Sequence, residues 1–200
     1  MGLSVYQRVL GDEFAGLSPE LQRYFGMPDT GTHGEGTGVF EVAGSRHRWL
    51  RPLFALFAGQ EILFPEYGRN VPFDVANRPE GEVLRASRVF HLRGRNRVVV
   101  DEMRVIGGEL HDFLGRDNRL EVALRLSVSG GVLTMVSTDS WLWLGRRRVR
   151  LPALLNARVE LTERWEGDHQ RVSVALRHPL LGEIFVYRGT FGYHYVSDED

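Results

Sequence analysis

From residue 71 to residue 195 the chain reads as one short period-two segment after another, with a turn signal closing nearly every one. The segments run about 71–77, 82–92, 97–106, 109–114, 119–128, 131–144, 157–165, 170–178 and 183–195. Glycines or polar pairs separate them, among them Gly94-Arg95-Asn96, Gly107-Gly108, Asp117-Asn118, Gly130-Gly131 and Gly167-Asp168. Alternation over so short a span marks strands with one buried and one wet face. The clearest case is 120–128, where Leu120, Val122, Leu124, Leu126 and Val128 share one face and Glu121, Arg125 and Ser127 the other. No intervening segment is long enough for a crossover helix, so the strands must meander antiparallel. Nine or ten such strands curl, and closure removes their exposed edges. The expected fold is therefore mainly β: an antiparallel meander closing into a barrel or strongly curved sheet, with short N-terminal and capping helices.

Helical patterns are confined to the first third. Residues 3–15 and 18–25 predict two short helices, the second capped by Ser18, opened by Pro19 and ended by Gly26, with Leu21, Tyr24 and Phe25 on one face. Residues 49–58 predict a short apolar cap. The glycine-rich stretch 28–38, with Gly34, Gly36 and Gly38, does not follow a strand and open a helix as a dinucleotide fingerprint must, and we expect a flexible connector leading into a strand at Val39–Ala43. The whole is read as one domain over 1–200: helices in 1–27, a loop at 28–38, a barrel over 39–195 and an acidic tail at 196–200.

Composition narrows the chemistry. At 200 residues the chain can bury about 70% of the surface it exposes when unfolded, and needs no staple. It has no cysteine and no lysine: all 25 cationic residues are arginine. That excludes disulfides, iron–sulfur clusters, cysteine-bound zinc, a thiolate nucleophile, a Schiff-base lysine and a P-loop lysine. A net charge of −1 argues against a dedicated nucleic-acid binder. The longest apolar stretch, residues 49–58, falls well short of the ~20 residues of a membrane span, and no leader pattern opens the chain, so a cytoplasmic location is expected.

Several blocks carry a family resemblance: Tyr6-Gln7-Arg8-Val9-Leu10-Gly11, Leu63-Phe64-Pro65-Glu66 with Gly68-Arg69-Asn70-Val71-Pro72-Phe73, His111-Asp112-Phe113-Leu114-Gly115, and the closing run from Pro179-Leu180-Leu181-Gly182 to Tyr187-Arg188-Gly189. Together they resemble the bacterial domain-of-unknown-function family numbered 4166 over about residues 5–193. In that family the domain also occurs fused to NAD(P)-binding dehydrogenase-like domains, which implies a separate NAD(P)-binding protein as a partner. The resemblance brings no catalytic residues and no cofactor. The order of short helical cover and about nine meandering strands also resembles the calycin-like barrels, a likeness of fold alone.

Candidate chemistry comes from charges in phase with apolar faces. Arg88 is in phase with Leu84, Ala86, Phe90 and Leu92, and Glu163 with Val159, Leu161 and Trp165. Inside a barrel they would anchor a ligand head group or form an internal ion pair. Phe185, Tyr187, Phe191, Tyr193 and Tyr195 share a face, as do Trp141 and Trp143; Trp141 and Tyr187 are read as pocket wall, against the alternative of ordinary core. Glu102, Asp139 and His91 complete the set from which an acid–base pair could converge. The histidines have no metal-ligand spacing. The basic run Arg146-Arg147-Arg148 reads as solvated turn charge. We therefore expect a barrel holding an apolar or amphipathic small molecule, with an acid–base enzyme and a pocketless interaction module as alternatives.

Overall fold

The computed structural model describes residues 2–152 and 156–198. Ten antiparallel strands form a closed barrel, an eleventh lies outside it, and three short helices cover its ends.

The helices begin where the sequence places their caps. Ser4 opens α1 (Val5–Leu10): its hydroxyl accepts from the Gln7 amide while the Gln7 side chain accepts from the Ser4 amide, so two otherwise orphaned donors are satisfied. The pattern read as one helix over 3–15 divides here, α1 giving way at Gly11 to a 3₁₀ turn, Gly11–Gly16. Ser18 caps α2 (Pro19–Phe25), whose Leu21 and Phe25 are fully buried. The cap helix follows a short 3₁₀ turn and is α3 (Arg51–Gly59).

The strands are β1 (Thr32–Gly44), β2 (Tyr67–Glu80), β3 (Val83–Leu92), β4 (Arg95–Ile106), β5 (Glu109–Leu114), β6 (Leu120–Ser129), β7 (Val132–Leu144), β8 (Arg147–Arg150), β9 (Arg158–Glu166), β10 (His169–His178) and β11 (Gly182–Ser197). Neighbours in the ring follow chain order from β1 to β7, then β9, β10 and β11, which returns to β1. β8 pairs with the distal half of β7, so Arg147 and Arg148, expected in a turn, form a strand outside the ring, while Arg146 does lie in the turn.

The glycine-rich stretch expected as a connector is most of β1, and the reason is packing. Gly34, Gly36 and Gly38 lie opposite Tyr195, Tyr193 and Phe191 of β11 and opposite Asn77, Val75 and Phe73 of β2, on the inward face. A Cβ on Gly34 would sit 1.5 Å from Tyr193 Oη, and one on Gly38 2.2 Å from the Thr190 carbonyl oxygen. The glycines recur every second residue because aromatic rings fill the space their side chains would take.

The ends of the barrel are closed differently. α1 and α2 plug the end formed by the turns after β2, β4 and β6: Leu17 bridges to Gly131, Ser4 Oγ donates to the Phe25 carbonyl at 2.6 Å, and Tyr195 Oη donates to the Arg23 carbonyl at 2.5 Å. α3 lies at the other end, where Phe54 packs on Phe185. Two apolar clusters result. One joins α3 to Phe40, Phe64, Phe73, Phe90 and Phe185; the other joins α1 and α2 to Met103, Leu110, Val122, Leu133 and Met135. Tyr24, Val159 and Leu161 touch both.

Candidate functional site

Between the two clusters the barrel interior is polar. Arg88 extends inward from β3, with Val75 and Val99 beside it on β2 and β4. Asp101 and Met103 continue the inward face of β4, and Asp112 lies across from Met103 on β5. Glu163 enters from β9, five strands round the ring from Arg88 and so on the opposite wall. Tyr187 comes from β11, and Tyr6 and Tyr24 from the helical plug. Arg88 forms an ion pair with Asp101, and Gln170 Nε2 donates to Glu163. Asp101 Oδ2 and Asp112 Oδ1 are buried without a hydrogen-bond partner among the described residues.

This interior holds three carboxyl groups against one guanidinium, and its electrostatics follow. Burial pushes the Asp112 carboxyl up to about 7 against the pull of Arg88. Burial likewise raises Glu163 to about 7, opposed by the Gln170 hydrogen bond and by Arg88. Burial works against the charge on Arg88, but facing Tyr187, Tyr24 and Asp112 hold its pKa above the ordinary value. The Tyr6, Tyr24 and Tyr187 hydroxyls are all raised, chiefly by burial, and stay neutral. Two carboxyls on different strands of the interior are therefore held near the neutral range by burial.

The interior is not packed solid. Arg88 faces inward, yet its side chain keeps 21% of its accessible surface. Asp112, Tyr187 and Leu161 also face inward and are only half-buried. Surface reachable by water inside a closed ring means open space between these walls. Half-buried inward residues Leu114, Leu120, Leu142 and Val159 continue that space toward the α3 end. At the plug a cleft of about 30 Å³, room for one or two waters, lies beside Tyr6, Tyr24, Asn77 and Tyr193.

Of the residues expected at the site, Arg88, Glu163 and Tyr187 are brought together inside. Trp141, Glu102, Asp139 and His91 are not. Trp141 is in phase with inward Leu133 and Met135, but a bulge at Thr138 shifts the register: Ser137 faces Leu124 while Asp139 faces Ala123. Beyond the bulge Ser140 and Leu142 point inward, and Asp139, Trp141 and Trp143 point outward. Glu102 is on the outer face of β4, tied to Arg85 and Arg104, beside a shallow groove of about 330 Å³ that Arg78 and Arg116 also line. Asp139 pairs with Arg150, and His91 meets Asp74 at 2.5 Å, both outside.

Trp141 serves a different cluster on the outer wall. Glu121, fully buried there, accepts from Trp143 Nε1 at 2.8 Å and from both Arg148 Nε and Nη2, and meets His111 Nδ1 at 2.8 Å. The Arg148 guanidinium stacks 3.8 Å from the centre of the Trp141 ring. Burial opposes the Glu121 charge, but the bonds from Arg148, Trp143 and His111 outweigh it and keep its pKa below the usual carboxylate range. With every acceptor position engaged, this cluster fastens β8 to the barrel.

The model of the family described as a domain of unknown function (DUF4166) matches residues 17–191. The chain belongs to this family. An uncharacterised relative, YndH of Bacillus subtilis (strain 168), is 27% identical over 188 residues, which is 88% of this chain and 90% of that protein. No solved structure matches. The family's matched span runs from the end of the 3₁₀ turn to Phe191 and takes in the whole interior cluster except Tyr6.

Proposed function

We propose that the protein binds an amphipathic small molecule inside the barrel, head group at Arg88, Asp112, Glu163 and Tyr187, apolar body along Leu161, Val159 and Leu114. The observation that carries this reading is the accessible surface that Arg88, Asp112, Tyr187 and Leu161 keep on the inner wall of a closed ring, where only open space can leave it. The wall offers more acceptors than donors: Arg88 is engaged by Asp101, whereas Asp101 Oδ2 and Asp112 Oδ1 lack partners. A head group that donates hydrogen bonds, an amine or a hydroxyl, complements it better than a carboxylate does.

The test is native mass spectrometry of protein purified from expressing cells, with organic extraction of whatever is bound. A stoichiometric small molecule that disappears in Asp112→Asn and Arg88→Leu supports the reading. A bare mass in every preparation, together with no uptake of added dodecylamine, refutes it.

One observation favours a second reading, general acid–base chemistry on a small metabolite. Burial raises both Asp112 and Glu163, on different strands of one interior, to about 7, which suits either of them to proton transfer near neutral pH. A bound metabolite that is converted by the wild type and returned unchanged by Glu163→Gln would favour it.

A further inference from the structure

The two ends of the barrel differ in surface chemistry. Strand directions place α3, the β10–β11 turn and the β7–β8 hairpin at one end. Among the described residues, that end carries seven of the ten exposed large apolar side chains. Trp49 is 61% exposed, Leu56 69% and Leu180 75%, joined by Leu53, Leu144 and Val149. Cations surround them. Arg48 and Arg51 flank Trp49, Arg93 lies in the β3–β4 turn, and Arg146 and Arg147 lie at the hairpin; none of these five has an ion-pair partner among the described residues. The acids of this end, Glu61, Glu66, Asp117 and Glu183, are all engaged in ion pairs. Acids with no ion-pair partner among the described residues collect at the opposite end: Asp12, Glu13 and Glu20 on the plug and Glu109 at the start of β5.

We propose that the α3 end docks on an anionic lipid surface, with Trp49, Leu53 and Leu56 entering the headgroup region and Arg48 and Arg51 meeting lipid phosphates. An exposed tryptophan beside aliphatic side chains and unpaired arginines suits the interface of a bilayer, where ring and chains leave water while guanidinium groups stay at the charged plane. A second copy fits worse, because a two-fold contact through this face would set Arg48 and Arg51 against their own counterparts. A nucleic acid would use the arginines and leave the leucines in water. No helix among the described residues is long and apolar enough to cross a membrane, so contact through these side chains is peripheral. The inference does not rest on the interior ligand.

The experiment is co-sedimentation of the full chain with vesicles of equal parts phosphatidylcholine and phosphatidylglycerol, and with pure phosphatidylcholine. The wild type pellets with the anionic vesicles, releases at high salt and ignores the neutral ones. Arg48→Ser with Arg51→Ser weakens partitioning about 30-fold, following the typical contribution of two arginines at an anionic surface. Trp49→Ser with Leu56→Ser abolishes sedimentation, and Asp12→Ser with Glu13→Ser at the far end leaves it unchanged. All these side chains are exposed, and circular dichroism checks that each variant folds. Three results would overturn the proposal: no sedimentation of the wild type with anionic vesicles, equal sedimentation of the α3 variants, or a solution dimer that Trp49→Ser with Leu56→Ser dissolves.

Discussion

Replacing Glu163 by glutamine should make the protein more stable at pH 8 and change little at pH 4.5. In the folded chain burial raises the Glu163 carboxyl from its ordinary 4.5 to about 7. The folded state thus binds a proton that the unfolded state has released between those two values. Stability from this group is fully present below 4.5, falls as pH rises, and is lost above 7. Each pH unit in that window is worth about 1.4 kcal/mol, so the loss is about 3 kcal/mol. Solvent screening takes little from that figure, because Glu163 is only 6% exposed. Glutamine keeps the shape, carries no charge and preserves a partner for Gln170. Thermal unfolding of both proteins at pH 4.5, 6, 7 and 8 measures the difference, and Asp112, present in both, largely cancels. A gain of about 3 kcal/mol at pH 8 corresponds to about 6–12 °C in a chain of this size. A difference that does not vary with pH, or a variant less stable at pH 8, would show that Glu163 is not held in the interior as described.

Other consequences are open to direct measurement. Gly38→Ala should cost about 3 kcal/mol in urea unfolding, because its Cβ would meet the Thr190 carbonyl oxygen and Phe191 Cα, backbone that cannot step aside. Leu21→Ala, at a fully buried position in the plug, should cost about 3 kcal/mol and make the α2 amides exchange faster with deuterium. Glu121→Ala leaves the His111 and Trp143 donors unpaired on the outer wall; we expect a loss of about 3 kcal/mol and early proteolysis in the β7–β8 hairpin, with ligand uptake unchanged.

Much of the barrel was legible because strand alternation is a local signal. Arg88 and Glu163 are in phase with apolar faces, and β3 and β9 keep those faces inward without a register shift through both residues. Phase failed where a strand changes register: the bulge at Thr138 sends Trp141 outward while Leu133 and Met135, in the same sequence phase, point inward. Glycine carries no apolar signal, so the period-two run at 28–38 reads as a loop; the aromatic rings that require those glycines lie on β11, some 155 residues further along the chain. Asp112 had a usable signal, Leu110 and Leu114 on either side of it in phase, and β5 sets all three facing inward. Tyr6 and Tyr24 reach the cluster from the plug, and no periodicity within one element reports that approach.

The central claim, that the barrel interior is a binding site for a donor-bearing amphipathic molecule, is tested most directly by calorimetric titration of dodecylamine and dodecanoate into the wild type and Leu161→Trp at pH 7. Leu161 lies half-buried on the inner wall, so the larger ring should occupy the space while leaving the fold intact. The account predicts one dodecylamine per chain, bound more tightly than dodecanoate, with protons released as Asp112 and Glu163 ionise, and no binding to Leu161→Trp. Equal binding to the filled variant, or none to the wild type, would contradict it.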